Sequence, residues 1–178
     1  MRYFIAVDLS KDLKDKIYTT QKSFSSDLAK VTWVSKRNLH ITLKFLGDID
    51  SKKLEEIENI LKLIKFEPFT LRAGRLGVFP DWNHINVIWL SLLPEKDLIR
   101  LQQTIDGELL PLLSGDQTFK SHLTLGRVKL VKKKDLFTDK LKEITLQTEP
   151  FIINSFSLYS SVLSKDGPTY YLIKTYEF

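Results

Sequence analysis

Two of the three histidines in this 178-residue chain stand in the same four-residue setting: His40-Ile41-Thr42-Leu43 and His122-Leu123-Thr124-Leu125. Thirteen residues are threonine and 43% are apolar. By composition alone, a histidine is followed by apolar-Thr-apolar about once in 75, and two of three would be roughly once in 2000. His84 is the internal control. Ile85-Asn86-Val87 follows it, so it lacks the threonine and reads as a surface or satisfied histidine in a strand.

In a strand, residues i and i+2 share a face. His40 and Thr42 therefore point one way and Leu39, Ile41 and Leu43 the other; His122 and Thr124 oppose Leu123 and Leu125 in the same manner. The apolar sides face a core and the imidazoles and hydroxyls something polar. If the two strands face each other across a cleft, two His/Thr pairs converge. Two imidazoles titrating near neutral pH can serve one reaction as base and acid. Two hydroxyls can donate to phosphate oxygens as charge builds there. The reaction that suits this set is phosphodiester cleavage. It needs no metal, and the chain has no HExxH or CxxC pattern.

Composition narrows the class further. With no cysteine, the chain has no disulfide, thiolate metal site or cysteine nucleophile. The charge of +5 suits an anionic ligand without demanding one. No apolar run approaches the roughly 20 residues of a membrane span, and the start, MRYFIAVDLSKDLKDK, lacks the pattern of a secretory signal. A cytoplasmic location fits. Lys132-Lys133-Lys134 reads as a solvated face.

Elements must position the two motifs. Strands are expected at Arg2–Leu9, Val31–Val34, Leu39–Leu46, Pro68–Leu76, Ile85–Leu92 and Phe119–Lys129. A hairpin is expected from Phe151–Val162 through a turn at Lys165-Asp166-Gly167-Pro168 to Tyr170–Tyr176. Ser10 caps a first helix with Leu13, Ile17, Phe24 and Leu28 on its apolar stripe; Asp50 or Ser51 caps a second with Leu54, Ile57, Leu61 and Ile64. Pro94 opens a third, with Leu98, Leu101, Ile105 and Leu109. The charged segment Lys132–Glu143 forms a short fourth. Helices between groups of strands with short connections make an α+β pattern. No linker divides residues 1–178, so a single domain is expected. The motifs, 82 residues apart, suggest duplicated architecture without a detectable repeat.

The paired HxTx motifs resemble those of the two-histidine (2H) phosphoesterases. RYFIAVDL, VTWVSKRNLHITLKFLGDI, GRLGVFPDWNHINVIWL, SHLTLGR and GPTYYLI are similar, in that order, to the RNA 2',3'-cyclic phosphodiesterase branch, also known as 2'-5' RNA ligases. The resemblance covers nearly the whole chain. It implies a bilobal fold in which two antiparallel sheets face a groove with helices outside, related by approximate two-fold symmetry. One lobe would hold both termini and the other the middle of the chain, each lending one HxT strand. It implies His40 as general acid to the O3' leaving group, His122 as general base to water, and Thr42 and Thr124 on the phosphate oxygens. It adds Arg127 as a phosphate holder and Phe45 as a base-stacking or groove-wall residue. Strict alternation opposes the last two, because each lies an odd five residues after its histidine. A bulge would reconcile them, and Gly126 makes one plausible for Arg127; near Phe45 only Gly47 helps, and ordinary core is the alternative. Where many family members carry proline before the second histidine, this chain has Ser121, which could add a hydrogen bond.

The expected activity is metal-independent opening of a 2',3'-cyclic phosphate to a 2'-phosphate, reversible as 2'-5' ligation, by a monomer acting on RNA or nucleotide ends with no cofactor. Two other readings stay open. One is a cyclic phosphodiesterase of small nucleotides such as ADP-ribose 1'',2''-cyclic phosphate. The other is a non-catalytic nucleotide- or RNA-binding module.

Overall fold

The computed structural model describes residues 1–115, 119–146, 148–165 and 167–178. The first strand, β1 (Arg2–Val7), runs to Ser10, whose hydroxyl accepts the Leu13 N–H at 3.3 Å and starts α1 (Lys11–Lys22). Leu13, Ile17 and Gln21 form its buried face. The helix stops earlier than the apolar stripe suggested. The Ser23 hydroxyl donates to the Thr20 carbonyl and the Ser25 hydroxyl accepts from the Asp27 N–H. Such local bonds compete with helix continuation. Phe24 and Leu28 pack on the core from the loop instead.

The chain continues through β2 (Ala29–Trp33), a short 3-10 turn (Lys36–Asn38) and β3 (Ile41–Asp48). Asp50 caps α2 (Ser51–Leu61), accepting from the Lys53 N–H at 2.8 Å. Ile64 is buried just beyond the helix. β4 (Phe69–Asp81) and β5 (His84–Leu93) form a hairpin longer than expected. Its turn is held by the Asp81 carboxylate, which accepts from the backbone of Asn83 and His84. Pro94 stands at the cap of α3 (Glu95–Leu109) rather than within it. β6 (Leu123–Val131) and α4 (Lys134–Glu143) follow.

The segment Phe151–Val162 is not one strand. β7 (Phe151–Ile153) pairs with β4, whereas β8 (Ser155–Ser164) pairs with β1 and with β9 (Gly167–Glu177). The break at Asn154 shifts the apolar phase. Phe151 and Ile153 are buried before it, Phe156 and Leu158 after it. The Asn154 carbonyl accepts the Phe178 N–H at the crossing. In the hairpin turn, Asp166 lies outside the described residues; Gly167 is left-handed at φ 108°.

The result is α+β with two antiparallel sheets, ordered β3-β1-β8-β9 and β2-β6-β5-β4-β7. The first holds the strands near both termini, and the second is built from the middle of the chain. α3 packs on β3 and α2, and α4 on β4. Each sheet contributes one HxT strand, β3 or β6.

Candidate active site

Both histidines, both threonines, Arg127 and Phe45 line one groove of about 600 Å³ between the sheets. The two strands present their side chains by the same device. Along β1, Ala6 pairs with Thr42 and Ile5 with Lys44, so Leu43 is an extra residue. Along β5, Trp89 pairs with Thr124 and Ile88 with Gly126, so Leu125 is extra. Each bulge falls on the last residue of its HxTx motif. One extra residue reverses the parity of the positions that directly follow it. Phe45 and Arg127 therefore return to the groove side despite their odd offset. Consecutive burial of Leu43-Lys44 and Leu125-Gly126 has the same origin.

Phe45 is 72% exposed, which removes the core reading. Gly126 does not supply the bulge through a left-handed backbone, since among the described residues only Gly47 and Gly167 have positive φ. Its missing Cβ instead makes room: an added carbon would stand 2.7 Å from the Trp33 ring and 2.8 Å from Val31. Lys44 follows the other bulge with no glycine at all.

Each imidazole is anchored two residues upstream. His40 Nδ1 lies 2.7 Å from the Asn38 carbonyl, and His122 Nδ1 lies 2.7 Å from the Lys120 carbonyl. A carbonyl only accepts, so Nδ1 carries the hydrogen and Nε2 is left for chemistry. His40 Nε2 sits 2.9 Å from the Thr42 hydroxyl. Around His40 the site is aromatic: Phe4 lies 4.9 Å from its ring and Tyr170 stands edge-on at 5.2 Å. On the other side Phe79 meets His122 edge-on at 5.1 Å and stacks on Trp89.

Burial pushes His40 below the ordinary imidazole range. The Asn38 carbonyl and the Asp8 carboxylate oppose that, and Lys14 adds to it. The Tyr170 phenol is pushed up by burial, against the pull of Arg127, and so remains a neutral donor. Ser121 is buried but its hydroxyl has no partner among the described residues; it adds no hydrogen bond, contrary to expectation. His84 is exposed at the start of β5, away from the groove lining.

Several supporting residues were not read from the sequence. Asn38, besides receiving His40, donates its amide to the Pro168 carbonyl at 2.8 Å and so ties β3 to the β8–β9 hairpin. Gln21, 4% exposed, donates to the carbonyls of Val34 and of the bulged Leu125, both at 3.0 Å. Its signal was visible: a glutamine continuing the Leu13, Ile17 stripe. Lys44, 2% exposed, pairs with Asp106 on α3. Nothing in the alternation of β3 announces an inward lysine, because the bulge creates it.

Comparison with known proteins identifies the family. Residues 7–89 match the model of the LigT-like phosphoesterases, a span that holds the first motif. Curated relatives extend over the second. An RNA 2',3'-cyclic phosphodiesterase of Methanocaldococcus jannaschii is 34% identical over 98% of this chain and 99% of its own. One of Methanothermobacter thermautotrophicus is 34% identical over 96% and 95%. Among solved structures, TT0787 of Thermus thermophilus superposes with a TM-score of 0.78 at 24% identity, over 99% of this chain and 97% of its own. Escherichia coli LigT with 3'-AMP gives 0.73 at 23%, over 99% and 96%, and these two support the fold. With that identity over essentially its whole length, the chain belongs to the LigT-like, two-histidine phosphoesterase family.

Proposed function

We propose that this chain is a metal-independent RNA 2',3'-cyclic phosphodiesterase that opens the terminal cyclic phosphate to a 2'-phosphate. The observation that carries the proposal is the paired anchoring of two imidazoles, each with Nδ1 on a backbone carbonyl two residues upstream, in one groove with two threonines and Arg127. Binding alone would not require both anchors. The names of the curated relatives support the same activity.

His122 Nε2 takes a proton from water as the water oxygen bonds to phosphorus, in line with O3'. The P–O3' bond breaks, and O3' takes the proton carried by His40 Nε2. The 2'-phosphate and a 3'-hydroxyl remain, with His122 protonated and His40 neutral until solvent resets both. Thr42 and Thr124 donate to the non-bridging oxygens. The Arg127 fork balances the developing charge, and Phe45 offers a face to the base. Burial favours the neutral form of His40 in the free protein, and an anionic phosphate beside it draws it back toward the protonated form. With a 5'-hydroxyl in place of water, the same displacement of O3' joins that oxygen to phosphorus as a 2'-5' linkage.

Residues 1–178 act here as one unit, as a monomer, in the cytoplasm; among the described residues no helix is long and apolar enough to cross a membrane. The test is turnover of cytidine 2',3'-cyclic phosphate in EDTA by the protein and by His40→Ala and His122→Ala. Turnover in the parent and a loss of about 10²- to 10⁴-fold in each variant, with unchanged circular dichroism, is expected. Retained turnover in either variant would overturn the assignment. No turnover in the parent, with nucleotide binding intact, would leave the binding module.

A further inference from the structure

The groove does not end at the reacting phosphate. The connection from β2 to β3 also lines it, through Ser35 and Arg37 beside Trp33 at the end of β2. Three arginines reach the groove, and among the described residues no aspartate or glutamate lines it. They are not equivalent. Arg127 follows the second motif and serves the reacting phosphate. Arg2 lies at the far end of β1, where Asp48 stands 3.7 Å from its guanidinium. Arg37 is exposed and, among the described residues, has no carboxylate within ion-pair distance.

Arg37 is held close to the centre by the backbone that aims His40. It lies within the 3-10 turn Lys36–Asn38. The Asn38 and Leu39 N–H groups close that turn on the Ser35 and Lys36 carbonyls. His40 follows Arg37 by three positions, so their Cα atoms lie at most about 11 Å apart even in extended chain, and closer in a 3-10 turn. That is the scale of one nucleotide step. The Lys36 side chain is turned away onto Asp15, which leaves Arg37 as the cation of this turn that lines the groove.

We infer that Arg37 forms a second phosphate subsite, for the phosphodiester one nucleotide upstream of the cyclic end. This rests on the cyclic phosphodiesterase reading and narrows its substrate class to oligoribonucleotide 3' ends. A mononucleotide cyclic phosphate fills the reacting centre and leaves Arg37 idle. A chain of two or more nucleotides engages both. The planar fork suits a phosphodiester, whose two free oxygens it can bridge.

The experiment compares cytidine 2',3'-cyclic phosphate with a tricytidylate ending in the same group, for the parent protein and for Arg37→Gln. The ratio of kcat/KM, trinucleotide over mononucleotide, is expected to fall about tenfold in the variant, mainly through the trinucleotide KM. The salt dependence of trinucleotide affinity should flatten by about 0.7 in log–log slope, one single-strand phosphate contact. Binding of tricytidylate 2'-phosphate, followed by anisotropy, provides a readout independent of turnover. A ratio and slope that do not change, or an equal loss on both substrates, would overturn the subsite. If neither substrate turns over in the parent, the enzymatic reading fails, and the binding difference alone still decides whether Arg37 holds a phosphate.

Discussion

The two HxT strands perform the same geometric step and secure it differently. In β6 the bulged Leu125 carbonyl is held by the Val34 N–H and by the buried amide of Gln21, from α1. In β3 the residue after the bulge is Lys44, a buried cation paired with Asp106 of α3. Each helix thus supports the strand carried by the other half of the chain. One support is neutral and the other charged. A neutral amide that loses its role costs a few hydrogen bonds; a buried ammonium that loses this carboxylate keeps its bond to the Ser114 carbonyl but gives up a charge-assisted one. The same fold operation therefore carries very different energetic risk on the two sides of the groove.

The largest expected effect breaks the charged side. Asp106→Asn should lower stability by about 3 kcal/mol, the loss of a buried charge-assisted bond, read as an earlier midpoint in urea unfolding. A change under about 1 kcal/mol would mean that the carboxylate does not hold Lys44 and that the contrast is false. Gln21→Leu should cost less, about 1–3 kcal/mol, because the Val34 carbonyl loses the amide while the Leu125 carbonyl keeps the Val34 N–H. If Gln21 costs as much as Asp106, the two supports are equivalent.

The histidines sharpen the comparison through pH. His40 is set low by burial, below its ordinary 6.5. In a two-histidine enzyme the bell-shaped profile does not reveal which group is the acid, so the His122→Ala background is the informative one. There the residual kcat/KM should fall tenfold per pH unit once pH exceeds a midpoint below 6.5, because an acid must be protonated. A residual rate that instead rises through that midpoint would make His40 the base. The smallest effect concerns Ser121. Its buried hydroxyl lacks a partner among the described residues, so Ser121→Ala should raise stability by about 1 kcal/mol, seen as a higher Tm. A lower Tm would show that the hydroxyl is satisfied.

Much of the site was legible because strands have a period of two. His40/Thr42 and His122/Thr124 follow from alternation alone, and so does the burial of Ile41 and Leu123. What alternation could not give was everything downstream of the bulges. Phe45, Lys44 and Arg127 all sit on the face opposite to a strict reading, and a bulge is a property of the pairing, not of either strand. Gly126 hinted at one of them for a reason other than its own, since its role is to admit Trp33. The helices were legible in their caps, Ser10 and Asp50, and less so in their ends, where serine side chains stopped α1. The long β4–β5 hairpin exceeded its apolar core because Asp81 holds the turn. The division of Phe151–Val162 between two sheets was signalled only by a slip in phase at Asn154.

The central claim is that the groove directs water to phosphorus in line with O3', with His40 on the leaving oxygen. It is tested most directly by identifying the product of cytidine 2',3'-cyclic phosphate in EDTA by phosphorus NMR. The account predicts cytidine 2'-phosphate. Cytidine 3'-phosphate would contradict it, because O2' would then be the oxygen that leaves.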